Sequence, residues 1–134
     1  MEEFPNIFRW ILLPILLAVN GFFAAAEVAL VSVRPTRMRQ LADAGDTRAR
    51  AVIGLLDNPD RLLSAGQLGI TLASLGLGWA GEDTMYRFLI WLAPPLAFSQ
   101  WERLIHLAAF AIAFVIITFL HMVVGEVVPK NLAL

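Results

Sequence analysis

Residues 10–33 read WILLPILLAVNGFFAAAEVALVSV, 24 positions in which Glu27 carries the only formal charge. A bilayer core about 30 Å thick needs roughly 20 apolar residues in a helix, so this stretch predicts a transmembrane span, with Pro14 a point of kinking. It reads as a span rather than a secretory leader. Its amino end is acidic (Glu2, Glu3), and it exceeds the usual leader core of about 7–15 residues. Two further stretches behave alike. Residues 62–80, LLSAGQLGITLASLGLGWA, give 19 positions without a charge, and 104–124 give 21 with His106 and His121. Residues 85–98 contain Arg87 and Pro94-Pro95. They are too short to cross and read as an external interfacial or re-entrant piece. The expected fold is an all-α integral membrane domain with three transmembrane helices.

Composition agrees. The 134 residues suit one domain, and 59% are hydrophobic against 16% charged. Mean hydropathy is +0.73. These values exclude a disordered chain, a basic nucleic-acid binder and most water-soluble enzymes. With no Cys, disulfides and thiolate metal sites are excluded too. His121 and Glu126 are five residues apart, whereas a zinc-protease helix needs two His at i and i+4 around a Glu. No nucleophile–base pair, phosphate loop or redox motif is present, so the chain is not expected to be an enzyme.

Basic residues orient the spans. Arg34, Arg37, Arg39, Arg48, Arg50, Arg61 and Lys130 fall on one side, and Arg9, Arg87 and Arg103 on the other. Seven against three predicts a cytoplasmic 34–61 loop and carboxy terminus with an external amino terminus, since positive loops stay inside. Trp10, Trp79, Trp91 and Trp101 all fall at the predicted external interface, where amphipathic rings prefer to sit. The expected placement is therefore a multi-pass membrane one with the amino terminus outside. Within the loop, Pro35 opens one helical pattern, and Asp46 is placed to cap a second that carries Ala49, Val52, Ile53 and Leu56. Asp60 is the expected cap of the second span. The loop reads either as amphipathic helices on the inner surface or as a helical hairpin packed on another domain.

Ionisable and polar groups at membrane depth are costly and point to function. Glu27 lies deep in the first span, with Asn20 two turns earlier on nearly the same face. Ser64, Gln67, Thr71 and Ser74 are spaced 3, 4 and 3 apart, a polar stripe that must face another helix, a partner subunit or water. Gly21, Ala25 and Ala29, and likewise Ala65, Gly69 and Ala73, form small-residue rows that permit close helix contact. Gly66, Gly69, Gly76 and Gly78 each cost about 1 kcal/mol relative to Ala in a helix, which predicts a break in the second span. The third span closes with Gly125-Glu126-Val127-Val128-Pro129-Lys130. Pro129 lacks an amide hydrogen and its ring clashes with the carbonyl of residue 125. The expected kink exposes that carbonyl beside the Glu126 carboxylate, oxygen donors of the kind Mg²⁺ or Ca²⁺ prefers. The alternative is a terminal kink in which Glu126 pairs with Lys130.

The runs NGFFAAAEVALVSVRPTRMRQLADAG, DNPDRLLSAGQLGITLAS and GEVVPKNLAL resemble the transmembrane domain of the CNNM/CorC family, whose bacterial members are often labelled hemolysin-like. The resemblance covers about residues 18–81 and 120–134. It implies a dimeric transporter of divalent cations, chiefly Mg²⁺, followed by paired CBS modules that bind adenine nucleotides and a small carboxy-terminal domain. Glu27 matches the family acid of the first span. Ser64 and Gly69 match the start of the second, and Gly125, Glu126, Pro129 and Lys130 match the closing motif. Ala24 and Ala26 stand where the family has serines, and Ile70 and Ser74 where it has asparagines, so several family ligands are missing.

The expected function is the membrane domain of an Mg²⁺-type transporter or efflux protein. Asn20, Ser64, Thr71, Ser74, Gly125 and Glu126 are the expected cation ligands, and Glu27, Gly69, Pro129 and Lys130 the structural or gating residues. The alternative is a dimeric membrane anchor or sensor for cytoplasmic CBS domains. The expected partners are the lipid bilayer and a second copy of the chain, with no nucleic acid, and with adenine nucleotide only through cytoplasmic domains beyond residue 134.

Overall fold

A computed structural model describes residues 4–92 and 102–134. Every element in them is helical: α1 (Phe4–Ser32), α2 (Pro35–Asp43), α3 (Thr47–Leu56), α4 (Pro59–Leu92), α5 (Glu102–Met122), a π-helical turn (Val123–Val127) and α6 (Val128–Ala133). Three stretches are long and apolar enough to cross a membrane: Ile7–Ser32, Pro59–Leu89 and His106–Ala133.

Local chemistry sets the boundaries. A residue before proline is pushed out of the helical region. Arg34 accordingly has extended φ −84° and ψ 114°, separating α1 from α2, and Pro35 takes the first position of α2. The chain leaves α2 through Gly45 at φ 99°, a left-handed conformation that only glycine adopts without strain. Asp46 then caps α3, its Oδ1 accepting from the amides of Arg48 (2.8 Å) and Ala49 (3.3 Å). α4 starts one residue before the expected Asp60 cap. Pro59 opens it, and the carbonyl of the preceding Asn58 accepts from Leu62 N at 3.1 Å.

α4 departs from expectation in two ways. Its glycines do not break it, and residues 85–92 continue it rather than forming a separate external piece. The remainder of that piece, 93–98, lies outside the described residues. The physical reason is packing. A Cβ at Gly69 would meet the Phe23 ring at 2.6 Å, one at Gly76 the Leu16 side chain at 3.1 Å, and one at Gly81 the Ile117 side chain at 2.5 Å. At these three positions the bare backbone of α4 lets side chains of α1 and α5 close in, and that burial offsets the helical cost of glycine, whereas Gly66 and Gly78 face open space and are carried by the rest of the helix.

The same contacts define the arrangement. Phe23 meets residue 69, Leu16 meets 76 and Leu13 meets 81, so α1 and α4 are antiparallel. α5 runs alongside α1 in the same direction. Leu13, Leu77, Ala80 and Ile117 form the small buried core, with Leu12, Leu16 and Leu17 against it. Outside it, Phe22, Leu68, Leu75, Phe114, Val115 and Phe119 are exposed. Apolar side chains facing outward all along the helices are what lipid requires.

Candidate functional site

The site grows from one irregularity, the π-helical turn between α5 and α6. Val128 donates its amide to the Val123 carbonyl, an i→i−5 bond that widens the helix by one residue. Such turns often mark functional sites. Pro129 has no N–H to give the Gly125 carbonyl four residues back, and Asn20 of α1 supplies one instead. Its Nδ2 donates to Gly125 O at 2.8 Å. Two glycines permit the approach. A Cβ at Gly125 would sit 2.8 Å from Asn20 Nδ2, and one at Gly21 would sit 3.0 Å from the Pro129 ring.

Asn20 is 0% exposed, and its Oδ1 has no hydrogen-bond partner. An unsatisfied buried acceptor costs about 1–3 kcal/mol. The amide cannot relieve this by turning over, because it would then present an oxygen to the Gly125 carbonyl.

A second polar pair adjoins. Ser74 of α4 donates to Ile70 O at 2.7 Å and lies 2.9 Å from His121 Nε2. The hydroxyl thus lies between two partners, the Ile70 carbonyl and the His121 ring. His121 also reaches the glycine, its Cδ2 lying 3.3 Å from where a Gly125 Cβ would be. Spacing along the third span pairs His121 with no carboxylate, and its partner is instead Ser74, 47 positions away on α4, which no spacing within one helix signals.

The other expected residues are placed as follows. Glu126, on the π-helical turn, accepts from Lys130 Nζ at 2.7 Å, and Glu27 lies within electrostatic range of Lys130. Gly69 packs under Phe23. Ser64 and Thr71 stay exposed on α4, and neither joins Asn20. Ala24 is fully buried with no oxygen to offer. Asn20, Gly125 and, through His121, Ser74 therefore come together, with Glu126 and Pro129 on the same turn. No group of three or more His, Cys, Asp or Glu side chains suited to a metal occurs among the described residues. A cation here would meet amide, carbonyl, hydroxyl and single-carboxylate oxygens, the donors of hard cations.

Three membrane-length helices with polar groups buried at a kinked turn define a multi-pass membrane domain. Residues 11–134 match the family described as the cyclin M (CNNM) transmembrane N-terminal domain. The chain belongs to that family of ion-transport-related, transporter-like membrane proteins. It is 42% identical over 128 residues to the UPF0053 protein YugS of Bacillus subtilis, covering 96% of this chain and 29% of the relative. It is 44% identical over 132 residues to the UPF0053 protein YhdP of the same organism, covering 96% and 29%. Similarity extends to the polyamine export protein of Haemophilus influenzae, at 27% over 134 residues, covering 100% and 30%. The chain thus spans under a third of the length of these relatives.

Proposed function

We propose that the chain is the membrane domain of a divalent-cation transporter, with Mg²⁺ the expected cargo. The cation is held where α1 meets the π-helical turn, by Asn20 and Gly125 oxygens with Glu126 and Ser74 alongside. The observation that supports this most is the fully buried Asn20, whose Oδ1 is unpaired beside a carbonyl that Pro129 leaves available. Four oxygens are fewer than the six of an octahedron, and Mg²⁺ customarily keeps several waters. A partly hydrated ion accommodates Ala24 and Ala26. In this reading the 34–61 loop and the carboxy terminus are cytoplasmic, the amino terminus is external, and the membrane is the bacterial inner membrane.

The test is the melting temperature of the purified chain in nanodiscs. A ligand at about 100 times its dissociation constant stabilises by about 2.7 kcal/mol. Millimolar Mg²⁺, Mn²⁺ or Co²⁺ should raise the melting temperature by several degrees, and Glu126→Gln should weaken the rise. No change with any of the three sinks this assignment. The relative named for polyamine export makes an organic polycation the competing cargo, so spermidine belongs in the same series.

The exposed row of Ser64, Gln67 and Thr71 favours a second reading, a dimeric anchor in which these groups meet a second copy rather than lipid. Adenine nucleotide would then act only through CBS modules in the longer protein. The chain has no cysteine, so Thr71→Cys provides a single cross-linking site. Efficient disulfide dimers within the bilayer support the contact, and their absence under oxidation counts against it.

A further inference from the structure

The Asn20–Gly125 contact has a geometry that bears on which cation fits and how it enters. Nδ2 and the Gly125 oxygen are 2.8 Å apart. Adjacent oxygens of an octahedral Mg²⁺ shell, each about 2.0–2.1 Å from the ion at right angles, are about 2.9 Å apart. A half-turn of the Asn20 amide about its last side-chain bond puts Oδ1 where Nδ2 now stands. The resulting oxygen pair already has the edge length of a Mg²⁺ octahedron, without movement of either helix. Two oxygens at that separation repel unless a positive charge lies between them, and the amide hydrogen now plays that part.

Resting on the cation reading above, we infer that Asn20 is a donor–acceptor switch. Its NH₂ group occupies the Gly125 carbonyl as a tethered stand-in for the cation, and the amide inverts to present Oδ1 when the ion arrives. The resting orientation leaves Oδ1 without a partner, and the inverted one moves the NH₂ group into that place, so the exchange is driven by the ion's attraction for the two oxygens rather than by the amide itself.

The measurement is the side-chain amide signal of Asn20 in the chain labelled with ¹⁵N-asparagine and held in nanodiscs. There are four asparagines, Asn6, Asn20, Asn58 and Asn131, and the Asn20 signal is identified by its loss in Asn20→Leu. Mg²⁺ should shift that signal at the concentrations that raise the melting temperature. Asn20→Leu should raise the Mg²⁺ midpoint at least tenfold. Asn20→Asp should lower the melting temperature without Mg²⁺ and enlarge the Mg²⁺-dependent rise. If Mg²⁺ still raises the melting temperature while the Asn20 signal stays fixed and Asn20→Leu keeps the wild-type midpoint, the switch is overturned and the cation reading stands. If no cation affects the wild-type chain, both fall together. If spermidine moves the signal and Mg²⁺ does not, the octahedral assignment is overturned.

Discussion

Two polar clusters lie at different depths of the bundle, one at an end and one midway along α1, and they differ in how their polarity is settled. At the end away from the α2–α3 loop, Asp83 holds Arg9 and also Arg87, the latter at 3.1 Å. Arg9 lies 5.5 Å above the Trp79 ring, Tyr86 pairs with His106, and Thr84 donates to Ala80 O at 2.6 Å. These ionic groups are partly exposed, and each has a partner. Midway along α1 the central group, Asn20, is uncharged, buried and half satisfied. A partly exposed cluster whose charges are paired is scaffold. A buried amide with a spare oxygen keeps binding capacity in reserve.

Perturbations of unequal size should expose that contrast. Gly125→Ala is expected to be the most damaging, because its methyl group would displace Asn20. Overpacking and a buried unpaired group together predict a loss of about 2–4 kcal/mol, measured by denaturant or thermal unfolding in a fixed lipid. A loss under about 1 kcal/mol would erase the distinction between the two clusters. Pro129→Ala should act with opposite sign on two properties. It restores an N–H that competes with Asn20 for Gly125 O and removes an interior proline, so stability should rise by about 1–3 kcal/mol while the Mg²⁺ midpoint weakens. Gly69→Ala should cost about 1–3 kcal/mol, with Phe23→Leu recovering part of it in the double mutant. Asp83→Asn should be mildest. Its partners are solvent-accessible, so the expected loss is below about 1 kcal/mol and shrinks in high salt.

Much of this was legible in the residues. Apolar run length found the three spans, Asp46 announced the α3 cap, and the Gly125–Pro129 spacing foretold an available carbonyl. Trp10, Trp79 and Trp91 do share one end, where Trp10 meets the Phe88 ring edge-on and Trp91 meets it at a tilt. Trp101 lies outside the described residues. What escaped has a common cause. Single-residue costs misjudged the α4 glycines, because their compensation comes from Phe23, Leu16 and Ile117 on other helices. Spacing within one helix could not find the partner of His121, because that partner lies on another helix. The same periodicity grouped Ser74 with Ser64 and Thr71, although Ser74 alone turns inward to a histidine 47 positions away.

The unbroken α4 has a mechanical consequence. At 34 residues and about 1.5 Å per residue, it is a rod about 51 Å long, well beyond the slab it crosses. A rod without a hinge acts as a lever, so pivoting by about 10° at the Pro59 end would sweep the far tip through roughly 9 Å. Torque applied to the α2–α3 hairpin would therefore reach Asp83 and its arginines undiminished, linking the two faces of the bilayer through one stiff member.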